Sequence, residues 1–237
     1  MLGHTVKAYD TELEILSRKI AEMGGIAEKM LSDAVESLFN LDTDLAWATV
    51  NGDLRLDILE RDIEEQAIAT IARRQPLAAD LRELIATIRI PSDLERVGDL
   101  AKNIAKRVIR IKPQLGIPRC IIGLRSMHEL AATLLKDALD AYAQRDAERA
   151  RGVWMRDADL DALQHSIFRD LLAFMMENPH NIAFCTHLLF CSKNIERIGD
   201  HATNIAEMVV YLVTGESLPM ERPSSRSSTP VSPTTVM

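Results

Sequence analysis

From Leu13 the apolar residues Leu13, Leu16, Ile20, Met23, Ala27, Met30, Ala34 and Leu38 recur in steps of three and four, the spacing of a coiled-coil seam. That spacing predicts a long first helix. Asn40 to Asp44 breaks the pattern, and a second helix is expected from about Leu45 to Arg74, with Leu56, Leu59, Ile63, Ala67 and Ile71 on its apolar side. Gln75-Pro76 reads as a turn, because proline disfavours helix in the residue before it and is welcome at a helix start. A third helix is expected from about Ala78 to Ile111, with Val97, Ala101, Ile104, Val108 and Ile111 on one stripe.

After KPQLGIP, residues 112–118, whose prolines and glycine read as a linker, the plan repeats. Helix four spans about Arg119 to Ala143, helix five Asp146 to Glu177 and helix six Asn181 to Val213, with a turn at Asn178-Pro179. Letters repeat as well as pattern. A shift of 104 superposes Asp42, Asp53, Leu56 and Asp57 on Asp146, Asp157, Leu160 and Asp161, and a shift of 101 superposes DLERVGD on NIERIGD. The sequence therefore describes an all-α protein of two tandem three-helix bundles related by internal pseudo-twofold symmetry. The first unit is placed at 1–111 and the second at 119–215, and the Ser-, Thr- and Pro-rich segment 216–237 is expected to be a disordered tail.

Composition sharpens this picture at three points. Aromatic residues are only 4% of the chain while hydrophobic residues are 47%, which favours helices packed on helices. A formal charge of −7 argues against non-specific nucleic-acid binding, which needs a basic surface to displace counterions. Cys120, Cys185 and Cys191 are odd in number and lack C-x-x-C spacing, so they read as buried apolar fillers in a reducing compartment. No apolar run reaches the ~18 residues that suggest a membrane span, and MLGHTVKAYDTELE lacks the apolar core of a signal peptide. A cytoplasmic protein is expected, meeting membranes only through partners.

The repeated acidic phrase carries the candidate chemistry. Glu95 and Asp99, then Glu196 and Asp200, are four apart and stack on one helix face, with Asn103 and Asn204 one turn further along. Folding the second and third helices back on each other about Pro76 puts Asp57 level with Glu95 and Asp53 level with Asp99. Folding the second unit between Asn178 and Pro179 puts Asp161 level with Glu196 and Asp157 level with Asp200. Carboxylates gathered at one height repel unless cations neutralise them, and oxygen donors of this kind suit Mg²⁺, Mn²⁺, Ca²⁺ or ferric iron. The wheel angle opposite Val97 and Ile198 places both sets on an outer groove, expected to be open to solvent. The competing reading is a solvated face in which Arg96 reaches Asp99 and Arg197 reaches Asp200.

Two further features are ambiguous. Gly98 and Gly199 each cost a helix about 1 kcal/mol relative to alanine, so their recurrence points to close helix approach or to room beside a cation. His165, four beyond Asp161, reads either as a nitrogen ligand or as a surface histidine.

ERVGD with KNIA, ERIGD with TNIAE, RRQPLAADLR and the MMENP turn together resemble the PhoU family over about residues 10–215. The resemblance implies two three-helix bundles with multinuclear, surface-bound metal clusters of iron, magnesium, manganese or zinc. The implied ligand motifs are Asp53 with Asp57, Glu95 with Asp99, Asp157 with Asp161 and Glu196 with Asp200. It further implies a negative regulator of phosphate uptake and phosphate-starvation signalling that contacts a membrane histidine kinase and the ATPase of the phosphate ABC transporter. Pro91, four residues before Glu95, removes a backbone hydrogen bond and is expected to kink the third helix. Oligomeric state is not legible in the sequence, and a homodimer is one arrangement open to it.

An enzyme is not expected. Di-iron carboxylate bundles use Glu-x-x-His on inward faces, whereas Glu177 to His180, the one such spacing here, spans the Asn178-Pro179 turn. No G-x-x-x-x-G-K-[ST] loop is present, and Arg73 with Arg74 reads as a helix C-terminal charge pair. The alternative to a metal-binding regulator is a metal-free helical adaptor that docks basic partners on its acidic faces.

Overall fold

The computed structural model describes residues 2–111 and 120–219, and every regular element among them is helical. In chain order these are α1 (Leu2–Asn40), α2 (Thr43–Gly52), α3 (Leu54–Arg74), α4 (Ala79–Val108), α5 (Cys120–Gln144), α6 (Ala147–Glu177) and α7 (Ile182–Thr214), with a 3₁₀ turn at Pro179–Asn181 before α7. The expected linker at 112–118, and the tail from 220 onward, lie outside the described residues. No helix among the described residues is long and apolar enough to cross a membrane.

The coiled-coil seam of the first helix is the buried face of α1, where Leu16, Ile20, Met23, Ala27, Met30, Ala34 and Leu38 are all buried. α1 begins well before the expected Leu13. The polar stretch that hides the period there is supported from outside, since Tyr9 packs on the core and its hydroxyl lies 3.5 Å from the Asp80 carbonyl oxygen. α4 stops at Val108 instead of Ile111, because Arg110 and Ile111 close a tighter turn on the Arg107 carbonyl oxygen, both at 3.0 Å. Pro91 is buried within an uninterrupted α4.

The duplication extends to the turns. Leu41 (φ 51°) and Arg145 (φ 55°), which share a repeat position, both adopt the left-handed conformation that ends a helix. The next residue then closes the turn in each repeat, Asp42 N–H on the Ser37 carbonyl and Asp146 N–H on the Ala141 carbonyl, both at 3.0 Å. The same aspartates cap the following helices: Asp42 Oδ1 accepts from the backbone of Asp44 and Leu45, and Asp146 Oδ1 from that of Glu148 and Arg149, each at 3.0 Å.

The expected second helix is a nearly continuous rod with one disturbance, at Asp53 between α2 and α3. There the backbone stays helical (φ −58°, ψ −39°), while both Leu56 N–H and Asp57 N–H donate to the Asp53 carbonyl oxygen at 2.9 and 3.3 Å. α1, α2–α3 and α4 form one three-helix bundle, α5, α6 and α7 the other. The two join along α4 with α7 and α1 with α5, and one hydrophobic core runs through both. Cys185 and Cys191 lie in that core as free thiols, and burial pushes the Cys191 thiol up to about 12, so it behaves as an apolar filler.

Candidate functional site

Each acidic groove is built where the helix carrying the repeated phrase crosses its neighbour. Gly98 faces Leu56 and Gly199 faces Leu160, the same pair in the two repeats, and a Cβ on either glycine would come far inside van der Waals contact with a leucine Cδ atom. Of the two uses the sequence left open for these glycines, close helix approach is therefore the one the packing requires. That approach brings the carboxylates of α2–α3 and α6 against those of α4 and α7.

The outer groove has a buried floor. Asp53 and Asp157 are only 5% and 3% exposed, contrary to the expectation of open solvent, whereas Asp57, Asp161, Glu95 and Asp99 are half-buried and Asp200 stands exposed at the rim. In the first groove Asp53 is not used as a helix cap, which leaves its carboxylate free to turn inward. There it meets Lys102. Lys102 Nζ donates to Asp53 Oδ2 and, at 2.7 Å, to Asp99 Oδ1, so one ammonium bridges the floor and the rim. Burial opposes the charge on Lys102, but the two carboxylates outweigh it and hold its pKa above the usual lysine range. Arg96 adds contacts of 3.4 Å to both Glu95 and Asp99, as the competing reading anticipated for Asp99.

Glu95 remains under pressure. Burial first, then Asp99, and more weakly Glu60 and Asp57, raise its pKa from 4.5 to about 6. In the second groove the same treatment falls on Asp200, raised from 3.8 to about 6 by lost hydration and then by Glu196, Asp157 and Asp161. The structure brings Glu196, Asp157 and Asp161 near enough to act on Asp200, and Asp99 and Asp57 near enough to act on Glu95, while Lys102 joins Asp53 to Asp99. Glu196 Oε1 accepts from Lys193 at 2.6 Å, while its Oε2 is buried with no hydrogen-bond partner. Among the described residues no group of three or more His, Cys, Asp or Glu side chains is placed to hold a metal ion.

The two asparagines do not extend the groove alike. Asn103 is exposed on α4. Asn204 donates instead to Asp93 Oδ1 across the α4–α7 junction at 3.1 Å, beside His201, whose Nδ1 lies 2.8 Å from the same oxygen. His165 Nδ1 turns back to the Asp161 carbonyl oxygen at 2.7 Å on an exposed face. Arg74 and Arg73 pair with Glu12 of α1, at 2.8 and 3.7 Å, in addition to closing α3. Sequence reasoning passed over Lys102 and Asp93; the one visible signal was the Lys-for-Thr difference between KNIA and TNIAE.

Fold and grooves define a class: a duplicated, all-α protein of two three-helix bundles, each carrying an acidic groove at a glycine-mediated helix crossing. Comparison with known proteins narrows it. The model of the PhoU domain matches residues 20–108 and 124–209. The chain belongs to the PhoU domain family. It is 54% identical over 222 residues, 93% of each chain, to the phosphate-specific transport system accessory protein PhoU homolog of Rhizobium meliloti (strain 1021). It is 47% identical over 223 residues, 94% of this chain and 97% of the other, to the homolog of the same name from Caulobacter vibrioides (strain NA1000 / CB15N). The crystal structure of PhoU from Pseudomonas aeruginosa superposes with a TM-score of 0.85 at 37% identity, covering 88% of this chain and 100% of that one. The Rhizobium and Caulobacter relatives are named as accessory proteins of the phosphate-specific transport system, not as enzymes.

Proposed function

We propose that this protein is an accessory regulator of phosphate uptake, not an enzyme, and that it restrains uptake and phosphate-starvation signalling by protein contact. The observation that carries the reading is 54% identity across 93% of the chain to a relative named as an accessory protein of the phosphate-specific transport system. The contacts fall on a membrane histidine kinase and on the ATPase of the phosphate ABC transporter, in the cytoplasm. Trp47, Leu54 and Ile58, exposed at 53%, 64% and 55% on one stripe of α2–α3, give such contacts apolar surface.

In this reading the second acidic groove serves as a hard-cation site, with iron, magnesium, manganese or zinc held by carboxylate oxygens. Support comes from Asp200, held near 6 by burial and then by the surrounding carboxylates, and from the orphaned Oε2 of Glu196, both of which a cation would satisfy. Bound there, the metal would supply positive charge that pins α6 to α7. Asp161 and Asp200, nearer the rim, are the side chains that would rotate to complete its shell, over Asp157 on the floor.

Deleting the gene in its host and growing the cells in phosphate-rich medium tests the regulatory reading. Phosphate-starvation genes are expected to switch on, and the wild-type protein to silence them again. Normal repression in the deletion strain would remove the regulatory role.

A further inference from the structure

The two grooves differ at one repeat position. Lys102 follows Asp99 by three residues, and Thr203 follows Asp200 by three. In the first groove the lysine is 80% withdrawn from solvent and joins Asp53 on the floor to Asp99 on the rim. In the second, Thr203 is 5% exposed, and its buried Oγ1 has no hydrogen-bond partner. From this repeat position Lys102 bridges the floor and rim carboxylates. Thr203 carries a hydroxyl and no charge at the same repeat position. At the second set Lys193, whose side chain is 54% exposed, pairs with Glu196 Oε1 at 2.6 Å.

We propose that Lys102 is a built-in counter-cation that closes the first groove to metal, and that cation binding is confined to the second unit, where Thr203 leaves the position open. The inference rests on the metal reading given above. A divalent ion entering the first groove must displace an ammonium already hydrogen-bonded to the same two carboxylates and tethered to the groove's own helix, so the two positive charges compete for one site. In the second groove an entering ion meets carboxylates on α6 and α7, hard oxygen donors, with no lysine at that repeat position. The duplication has thus kept the acids in both halves while replacing the ion in one of them by a residue of the chain.

Calorimetric titration of the chelator-stripped, desalted full chain with Mn²⁺ tests this. Wild type is expected to bind Mn²⁺ in a manner lost in E196Q/D200N and in T203K but kept in E95Q/D99N. K102T is expected to take up a further ion per chain, and that gain is expected to vanish in K102T/E95Q/D99N. The proposal is overturned if E95Q/D99N lowers the wild-type stoichiometry, or if folded K102T gains no ion. Should K102T not fold, as judged by circular dichroism, T203K decides: wild-type Mn²⁺ binding in T203K overturns the proposal and its loss supports it. Wild type lacking any Mn²⁺ uptake while K102T acquires it would defeat the metal reading of the second unit yet leave the role of Lys102 standing.

Discussion

Asp93 on α4 and His201 on α7 meet at 2.8 Å, a direct polar tie between the two bundles of a duplicated chain. Asp93 belongs to the first acidic phrase, but its carboxylate serves the interface and not the groove. Their side chains are 19% and 17% exposed, so solvent screening is partial. A double-mutant cycle of D93A and H201A, followed by denaturant unfolding, is expected to give a coupling of about 0.5–1.5 kcal/mol, the range for a partly buried hydrogen bond. Additive effects would show that the tie contributes nothing across the interface.

Gly199 is expected to tolerate no side chain. Replacing it with alanine adds a Cβ against Leu160, itself fully buried with little room to swing aside. Overpacking of about 1–3 kcal/mol, offset by about 1 kcal/mol of helix propensity, predicts a net loss of up to about 2 kcal/mol. Chemical denaturation of G199A measures it, and a smaller loss on introducing G199A into an L160A background would locate the strain in this contact.

The raised pKa of Glu95 makes a signed prediction about pH. Its folded value of about 6 lies above the ordinary 4.5, so between these values the native state holds a proton that the unfolded chain has released. Stability then falls as pH rises from about 4.5 to 6, and the penalty is fully present above that window. In chelator-treated protein, E95Q is expected to remove this part of the slope, so that its melting temperature gains on wild type between pH 4.5 and 7. Parallel curves for the two proteins would show that Glu95 is not under the pressure described.

What the sequence revealed and what it hid divide along physical lines. Helices, turns and hairpin levels follow from period and chain geometry, and Leu16 through Leu38 on α1 or Asp157 opposite Asp200 could be placed by counting. The start of α1 could not, because residues before Leu13 carry little apolar period. The burial of Asp53 was hidden as well: a wheel angle gives direction but not depth, and depth here depends on Gly98 letting α4 close onto Leu56. Lys102 and Asn204 were obscured for a related reason. Each is exposed or half-exposed on its own helix, and only the neighbouring helix decides that one bridges Asp53 to Asp99 while the other turns to Asp93.

Metal content offers the most direct check on the central claim, that the second acidic groove holds a cation. Protein purified without chelator is compared by elemental analysis with E196A/D200A prepared in the same way. The account predicts bound metal in the wild type and its loss in the variant; equal metal in both, with the variant folded, would contradict it.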